Sequence, residues 1–156
     1  MVAMLYLGTD HRGFELKEAL AEKLKTHSYE FDDLGAMSFD ADDDYANIAL
    51  AVAKAVAGAP MHRGVLLCGS GAGVCIAANK VRGIRAVLAD RLDVVRAART
   101  DDDVNVLCLP ASFVGAELAW ELVEVFLNTN FIASDRHLRR LKTIETHENH
   151  SVNQRE

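Results

Sequence analysis

Residues 63–81 read RGVLLCGSGAGVCIAANKV, and this stretch decides the fold. The unbroken apolar run Gly64–Leu67, bounded by turn signals, predicts a short strand buried in a parallel sheet. Three glycines follow in the five residues Gly69–Gly73 and permit a tight turn that brings backbone N–H groups close to a ligand. Val74–Lys80 has the composition of a helix start. A strand, a glycine loop and a helix in this order predict an anion-binding site in an α/β fold.

Cys68 stands where the predicted strand meets the glycine loop. The N-terminus of a helix favours negative charge, so a thiolate at this place is stabilised and can act as a base or a nucleophile. A free cysteine is also commonly a small buried core residue, and position alone leaves that interpretation open. Ser70, inside the loop, has a functional role only if Cys68 is active, and is otherwise a turn residue.

The composition describes one globular domain over residues 1–156, long enough to bury a core. A net charge of −6 at pH 7 disfavours binding to nucleic acid or to an anionic membrane surface. No apolar run approaches the ~20 residues of a membrane span, and the apolar start Met1–Leu7 lacks the flanks of a signal peptide. The three cysteines include no CxxC pair, which indicates neither a disulfide framework nor a zinc site. We therefore expect a cytoplasmic protein.

Strand-like runs alternate with helix-like runs along the chain, which predicts a Rossmann-like, three-layer α/β sandwich around a five-stranded parallel sheet. We expect the doubly wound strand order 2-1-3-4-5. In that order the first and third strands are neighbours, and ligands bind in the crevice at their ends. Asp10 and His11, which follow the first strand, would then lie next to Cys68, although they would also serve as a cap for the first helix. The predicted strands are Met4–Gly8, Tyr29–Leu34, Gly64–Leu67, Ile84–Ala89 and Asn105–Leu109.

A polar helix is predicted over residues 136–150, beyond the strand–helix alternation, with a frayed tail over residues 151–156. Arg136 and Arg140 are four residues apart and share one face of this helix. Two arginines and His137, held together in an acidic chain, suit a phosphate or carboxylate clamp. A solvated face or a subunit contact explains the same cluster, and for a basic cluster alone these are the commoner cases.

Two other motifs partly resemble ligand sites. The glycine loop partly matches a dinucleotide-binding fingerprint, but Val74 takes the place of the third glycine and the loop follows the third strand. Asp40, Asp42 and Asp44 imitate the start of a calcium-binding loop. Tyr45 and Ala51 stand where that loop needs a glycine and a bidentate glutamate, which excludes calcium.

Seven blocks within residues 4–148 form a more specific pattern: Gly8–Lys17, Asp44-Tyr45, Leu67–Gly73, Ile76–Val81, Gly83–Ala86, Asn105–Leu107 and Arg136–Arg140. In order and content they resemble the type B ribose-5-phosphate isomerase and galactose-6-phosphate isomerase family. The resemblance implies an aldose–ketose isomerase of a phosphorylated sugar, working through a cis-enediol(ate) without a metal or other cofactor. It also implies a homodimer or homotetramer with a site shared between subunits and the C-terminal helix packed on the partner.

The resemblance implies roles for individual residues. Cys68 matches the base that moves a proton between C1 and C2, and Ser70 matches a hydroxyl that carries protons between the substrate oxygens. The loop backbone would hold the enediolate through N–H groups. The other implied site residues are Gly69, Gly71 and Gly73 in that loop, Asp10 and Tyr45 beside the sugar, Asn105 as a further substrate contact, and His11, Arg136 and Arg140 at the phosphate.

Two departures from the family pattern concern the substrate. Asp101 occupies the position of the family's catalytic, ring-opening histidine. Ser112 occupies the position of a phosphate-binding arginine after the fifth strand. An isomerase of a tetrose or hexose phosphate is therefore an alternative to a pentose phosphate enzyme, as is an assembly completed by a histidine-bearing partner chain. A non-catalytic module that binds phosphorylated metabolites is the remaining alternative, and it would need neither Cys68 nor Ser70.

Overall fold

The structure, a computed structural model, describes residues 4–153 of the chain. Its strands are β1 (Leu5–Thr9), β2 (Phe31–Asp33), β3 (Arg63–Cys68), β4 (Ala86–Leu88) and β5 (Val106–Pro110). Its helices are α1 (Phe14–Thr26), α2 (Tyr45–Ala57), α3 (Ala72–Ala78), α4 (Leu92–Asp102), α5 (Ala116–Asn128) and α6 (Asp135–Asn153), and a short 3-10 helix, His11–Gly13, links β1 to α1. All strand pairs are parallel. The predicted strand–helix alternation is therefore confirmed.

The sheet lies between two layers of helices, as the sequence predicts. Helices α1, α4 and α5 pack on one face, and α2 and α3 pack on the other. Alternate residues of β3 point to opposite faces of the sheet. Val65 and Leu67 pack on the face covered by α1, α4 and α5, and Leu66 and Cys68 pack on the face covered by α2 and α3. Burial on both faces explains why this strand is an unbroken apolar run rather than an alternating one.

The strand order is β2-β1-β3-β5-β4, so the predicted order 2-1-3-4-5 is wrong for the last two strands. All five residues of β5 are buried, whereas the three residues of β4 are half-buried or exposed. A strand buried on both faces belongs inside a sheet and a short, partly exposed strand suits its edge. The swap matters for the site, because Cys68 now lies beside Pro110 and the turn after β5 borders the glycine loop.

Helix α6 lies outside the strand–helix alternation and contacts α4. It begins one residue before the predicted helix, and residues 151–153, predicted as part of a frayed tail, continue it. Residues 154–156 of that tail lie outside the described residues. Leu138 and Ile144 on this helix are 47% and 49% exposed, and Leu141 between them is half-buried. Within residues 4–153, no helix combines the length and apolar character needed to cross a membrane.

Candidate active site

The glycine loop lies at the carboxyl end of β3 and holds the Cys68 thiol. Cys68 is the last residue of the strand and is 5% exposed. The N–H group of Gly71 donates to the Sγ atom of Cys68 at 3.1 Å. Gly71 has a φ of 74°, in the left-handed region that favours glycine. The turn thus folds back on the end of the strand and provides an N–H group that can donate a hydrogen bond to a thiolate.

Ser70 lies beside Cys68 and is exposed. Its Oγ atom accepts a hydrogen bond from the N–H group of Ala72 at 3.3 Å. Two backbone N–H groups of the loop, those of Gly71 and Ala72, are therefore engaged by the two side chains with predicted proton-transfer roles. An oxyanion formed at this place needs donors other than these two.

Two side chains lie across the glycine loop. A methyl group at Gly69 would come within 2.7 Å of the Cδ atom of Arg12 and 3.0 Å of its Nη1 atom. Because glycine has no side chain, Arg12 can lie over the loop at this position. The ring of Tyr45, the first residue of α2, lies against Gly73, and a methyl group there would be 2.7 Å from a ring carbon. Arg12 and Tyr45 therefore flank the segment that carries Cys68 and Ser70.

Asp10 follows β1 at the same edge of the sheet, as predicted from the adjacency of β1 and β3. Its backbone N–H group donates to the carbonyl oxygen of Leu67 at 3.4 Å. The buried Asp10 carboxylate accepts a hydrogen bond from the N–H group of Arg12 at 2.9 Å and caps the short 3-10 helix. Asp10 therefore caps the 3-10 helix and not α1, whose N-cap is Gly13 without a side-chain hydrogen bond.

His11 is fixed by Asp43, a residue that sequence reasoning missed. The Oδ1 atom of Asp43 accepts from the backbone N–H group of His11 at 3.0 Å and lies 2.8 Å from its Nδ1 atom. The Oδ2 atom of Asp43 is buried and has no hydrogen-bond partner among the described residues. Asp10, His11 and Asp43 each offer a metal-ligand atom, and these atoms lie within 4.8 Å of one another. Asp43 lies directly before the matched pair Asp44-Tyr45, which was the available signal.

Asp101 and Arg136 meet at a second cluster, where the end of α4 approaches the beginning of α6. Buried His137 lies between them. Its Nδ1 atom donates to a backbone carbonyl oxygen at 2.7 Å, and its Nε2 atom accepts from the Nε atom of Arg136 at 3.2 Å. The carboxylate of Asp101 is 3.7 Å from the same Nε2 atom. Arg140, one helical turn further along α6, is exposed.

Asn105 lies at the amino end of β5 and holds the turn before β4. Its Oδ1 atom accepts from the N–H group of Arg85, and its Nδ2 atom donates to the carbonyl oxygen of Gly83, both at 2.8 Å. Cys68 pairs with Pro110 at the other end of β5. From Asn105 to Pro110 the chain advances five residues along β5, which is about 16 Å at 3.3 Å per residue.

The predicted site residues therefore form two groups at opposite edges of the sheet. The carboxyl-edge group consists of Asp10, His11, Tyr45, Cys68, Gly69, Ser70, Gly71 and Gly73. The amino-edge group consists of Asp101, Asn105, Arg136 and Arg140. Within one chain the described structure keeps the two groups apart.

Three free thiols share the core on one side of the sheet. Cys75 on α3 packs against the cluster that contains Cys68 and Cys108. A hydrogen bond from Cys108 lowers the pKa of Cys75 to about 7, and the same interaction together with burial raises the pKa of Cys108. Cys75, predicted as a core residue, is half-buried. We therefore expect alkylating reagents to modify Cys75 as a second thiol near neutral pH.

Comparison with known proteins gives a consistent result across sequence and structure. The model of the ribose/galactose isomerase family matches residues 5–144. A probable ribose-5-phosphate isomerase B from Mycoplasma genitalium is 41% identical over 145 residues, 92% of this chain and 95% of that protein. D-erythrulose-4-phosphate isomerase 2 from Mycolicibacterium smegmatis is 39% identical over 133 residues, 84% of this chain and 88% of that protein. The crystal structure of the Mycoplasma genitalium isomerase with bound ribulose 5-phosphate has a TM-score of 0.91 and 40% identity, and the match covers 96% of this chain and 98% of that one.

Proposed function

The chain belongs to the ribose/galactose isomerase family, and from that premise we propose that it interconverts the aldose and ketose forms of a phosphorylated sugar. The observation that carries the proposal is the arrangement at the glycine loop. The Sγ atom of Cys68 accepts from the N–H group of Gly71 at 3.1 Å, directly beside the exposed hydroxyl of Ser70. A module that only binds phosphorylated metabolites needs neither group.

Cys68 is the base of the proposed reaction. Its thiolate takes the proton from C2 of the aldose, the C–H electron pair forms the C1–C2 double bond, and the carbonyl electron pair moves to O1. The thiol then returns the proton to C1, where the C1–C2 double-bond pair forms the C–H bond, and the electron pair left on O2 by loss of its proton forms the C2 carbonyl of the ketose. Ser70 carries the proton that must leave O2 and arrive at O1. Each step moves protons and electron pairs without a net change of oxidation state over C1 and C2 together.

The site is proposed to form between two copies of the chain. His11 and the arginines at the beginning of α6 contact the phosphate, but the arginines lie at the opposite edge of the sheet from Cys68. The separation of about 16 Å along β5 supports a second copy as their source. The exposed apolar side chains of Leu138 and Ile144 on α6 also suit coverage by a partner. We therefore propose a homodimer as the smallest active assembly, in the cytoplasm, where free thiols stay reduced.

Two substrate classes are candidates. Relatives named ribose-5-phosphate isomerase B favour a pentose phosphate. The Mycolicibacterium smegmatis relative is named for D-erythrulose 4-phosphate, and the aspartate at position 101, in the place of a ring-opening histidine, also favours a tetrose phosphate. We propose that the tetrose phosphate is the better substrate.

The reaction class is tested by incubating the purified protein in D2O with tetrose, pentose and hexose phosphates, starting from the aldose and from the ketose. We expect at least one aldose–ketose pair to interconvert, with deuterium from the solvent incorporated at C1 or C2, because the transferred proton exchanges while it is on sulfur. Proton NMR follows both events. Binding of the sugar phosphates without interconversion would instead identify a binding module, and conversion without any deuterium would contradict the proton-transfer mechanism.

Arg140→Ala is expected to raise KM for the phosphorylated sugar at least several-fold and to leave the melting temperature nearly unchanged. A charge-assisted hydrogen bond contributes about 1.5–3 kcal/mol, and Ser112 leaves the phosphate with one arginine fewer than the family pattern. Arg140 is exposed and has no side-chain partner among the described residues, so folding does not depend on it. Steady-state kinetics and thermal denaturation measure the two effects.

Arg139→Ala is the matched control for this substitution. Arg139 is an exposed arginine on the same helix, so its removal changes the net charge equally. We expect its KM to match that of the wild type. If Arg140→Ala also keeps the wild-type KM, the basic cluster of α6 is a surface feature and not a phosphate clamp.

A further inference from the structure

Arg12 is a cation in the candidate site to which the proposed chemistry assigns no role. It belongs to the short 3-10 helix between β1 and α1 and is exposed. Its Cδ and Nη1 atoms lie against Gly69, which stands between Cys68 and Ser70. The positive charge of Arg12 is therefore positioned over the segment that carries both proton-transferring side chains.

The guanidinium of Arg12 has no partner among the side chains of residues 4–150. Within these residues it has neither an ion-pair partner nor a hydrogen-bond acceptor. Arg63, Arg85 and Arg99, by contrast, all lie within ion-pair distance of Asp103. An unpaired guanidinium keeps five N–H donors in a rigid planar fork, which matches the oxygens of an anion. Arg12 is therefore free to bind a negatively charged ligand at the loop.

The proposed reaction creates a negative charge beside this cation. As the thiolate of Cys68 takes a proton from carbon, the negative charge moves from the sulfur to a sugar oxygen. The N–H groups of Gly71 and Ala72 already donate to Cys68 and Ser70. A fixed donor that is in place before the charge forms is an effective way to stabilise such a transition state.

We propose that Arg12 is a further catalytic residue, which donates hydrogen bonds to the oxyanion of the enediolate. The inference rests on the proposed function, because it requires an enediolate to form at the glycine loop. Arg12 forms no covalent bond and keeps its proton, while Cys68 takes and returns the proton on carbon. The phosphate of the substrate is the other oxyanion that a guanidinium would bind. Contact with Gly69, between the base and Ser70, favours the reacting end of the sugar.

Arg12→Ala is expected to lower kcat about 10²-fold, the loss typical of a missing oxyanion donor, with KM changed by less than about threefold. Arg12→Gln retains much of the side-chain stem over Gly69 but removes the charge, and it should lose activity to a similar extent. Added guanidinium ion should restore part of the activity of Arg12→Ala. Arg96→Ala, which removes an exposed arginine from α4, is the control for the change in net charge and should keep the wild-type kcat.

A binding experiment separates the two oxyanions. A phosphorylated hydroxamate, whose planar end mimics the enediolate, is compared with inorganic phosphate by calorimetry. Arg12→Ala should weaken hydroxamate binding by about tenfold or more, a loss of at least 1.4 kcal/mol, and leave phosphate binding unchanged. A raised KM with unchanged kcat, or weakened phosphate binding, would overturn the assignment to the enediolate. Wild-type kinetics in both Arg12→Ala and Arg12→Gln would overturn it as well. These results differ from failure of the proposed function, in which the wild-type protein itself turns over no sugar phosphate.

Discussion

Cys68→Ala is expected to abolish turnover and to leave the binding of a substrate analogue nearly intact. This is the largest effect that we expect from a single substitution. General base catalysis contributes about 10²–10⁴-fold, and alanine cannot accept a proton. Binding should be retained because the proposed phosphate contacts lie on other residues and the side chain of Cys68 is small and buried. The comparison is between kcat and the dissociation constant of the analogue, for wild type and variant. Retained turnover in Cys68→Ala would end the assignment of the base.

Alkylation provides an independent test of the same residue, provided that Cys75 is removed first. We expect iodoacetate to inactivate the enzyme unless a ligand protects it. Cys75 should also react near neutral pH, because its pKa is lowered to about 7 and the thiolate is the nucleophile. Its labelling should rise as the pH increases through about 7. The informative protein is therefore Cys75→Ala, in which ligand-protected inactivation points to Cys68. Resistance of this variant to iodoacetate would mean that modification of Cys75 had caused the inactivation.

The second large effect concerns the substrate: erythrulose 4-phosphate should be turned over with a higher kcat/KM than ribose 5-phosphate or a hexose 6-phosphate. Pentose and hexose phosphates exist mainly as rings, which must open before C1 and C2 react. Acid–base assistance of such a step contributes about 10²–10⁴-fold. Aspartate side chains are ordinarily ionised at neutral pH and are poor proton donors to a ring oxygen. A four-carbon sugar phosphorylated on O4 cannot close a furanose ring, so it needs no ring-opening acid.

Asp101→His tests the reason for this preference. The substitution restores an imidazole at the place of the family's ring-opening histidine, so it should raise kcat/KM for ribose 5-phosphate and leave the value for erythrulose 4-phosphate nearly unchanged. Kinetics with all three substrates on both proteins give the comparison. The open-substrate hypothesis is wrong if the wild type prefers ribose 5-phosphate and the histidine adds nothing. Ring opening would then come from Asp101, from water or from a partner chain.

The layers of the fold follow from local sequence patterns, whereas the order of the last two strands does not. Unbroken apolar runs separated by amphipathic helices are sufficient to predict a parallel sheet between helices. Strand order depends on which strand is buried on both faces, and this is a tertiary property. The run Val106–Leu109 is more apolar than the β4 segment, which begins after Arg85 and ends before Asp90. That contrast was the available sign that β5, and not β4, lies next to β3.

The site divides in the same way between local and tertiary features. The contact between Cys68 and Gly71 spans three residues and follows from the glycine loop itself. The contacts of Asp43 with His11 and of Arg12 with Gly69 join segments distant in sequence. They depend on how loops from two strands approach each other, which motif spacing does not encode.

The division of the site residues between two edges of the sheet has a genetic consequence. In the proposed dimer each site takes Cys68 from one copy and Arg140 from the other. Two defective alleles, one carrying Cys68→Ala and the other Arg140→Ala, would therefore assemble into mixed dimers in which one of the two sites has both residues intact. A cell with both alleles would regain turnover at low substrate concentration, where Cys68→Ala alone is inactive and Arg140→Ala alone is slow because its KM is raised. Two alleles altered at the same edge would not complement each other in this way.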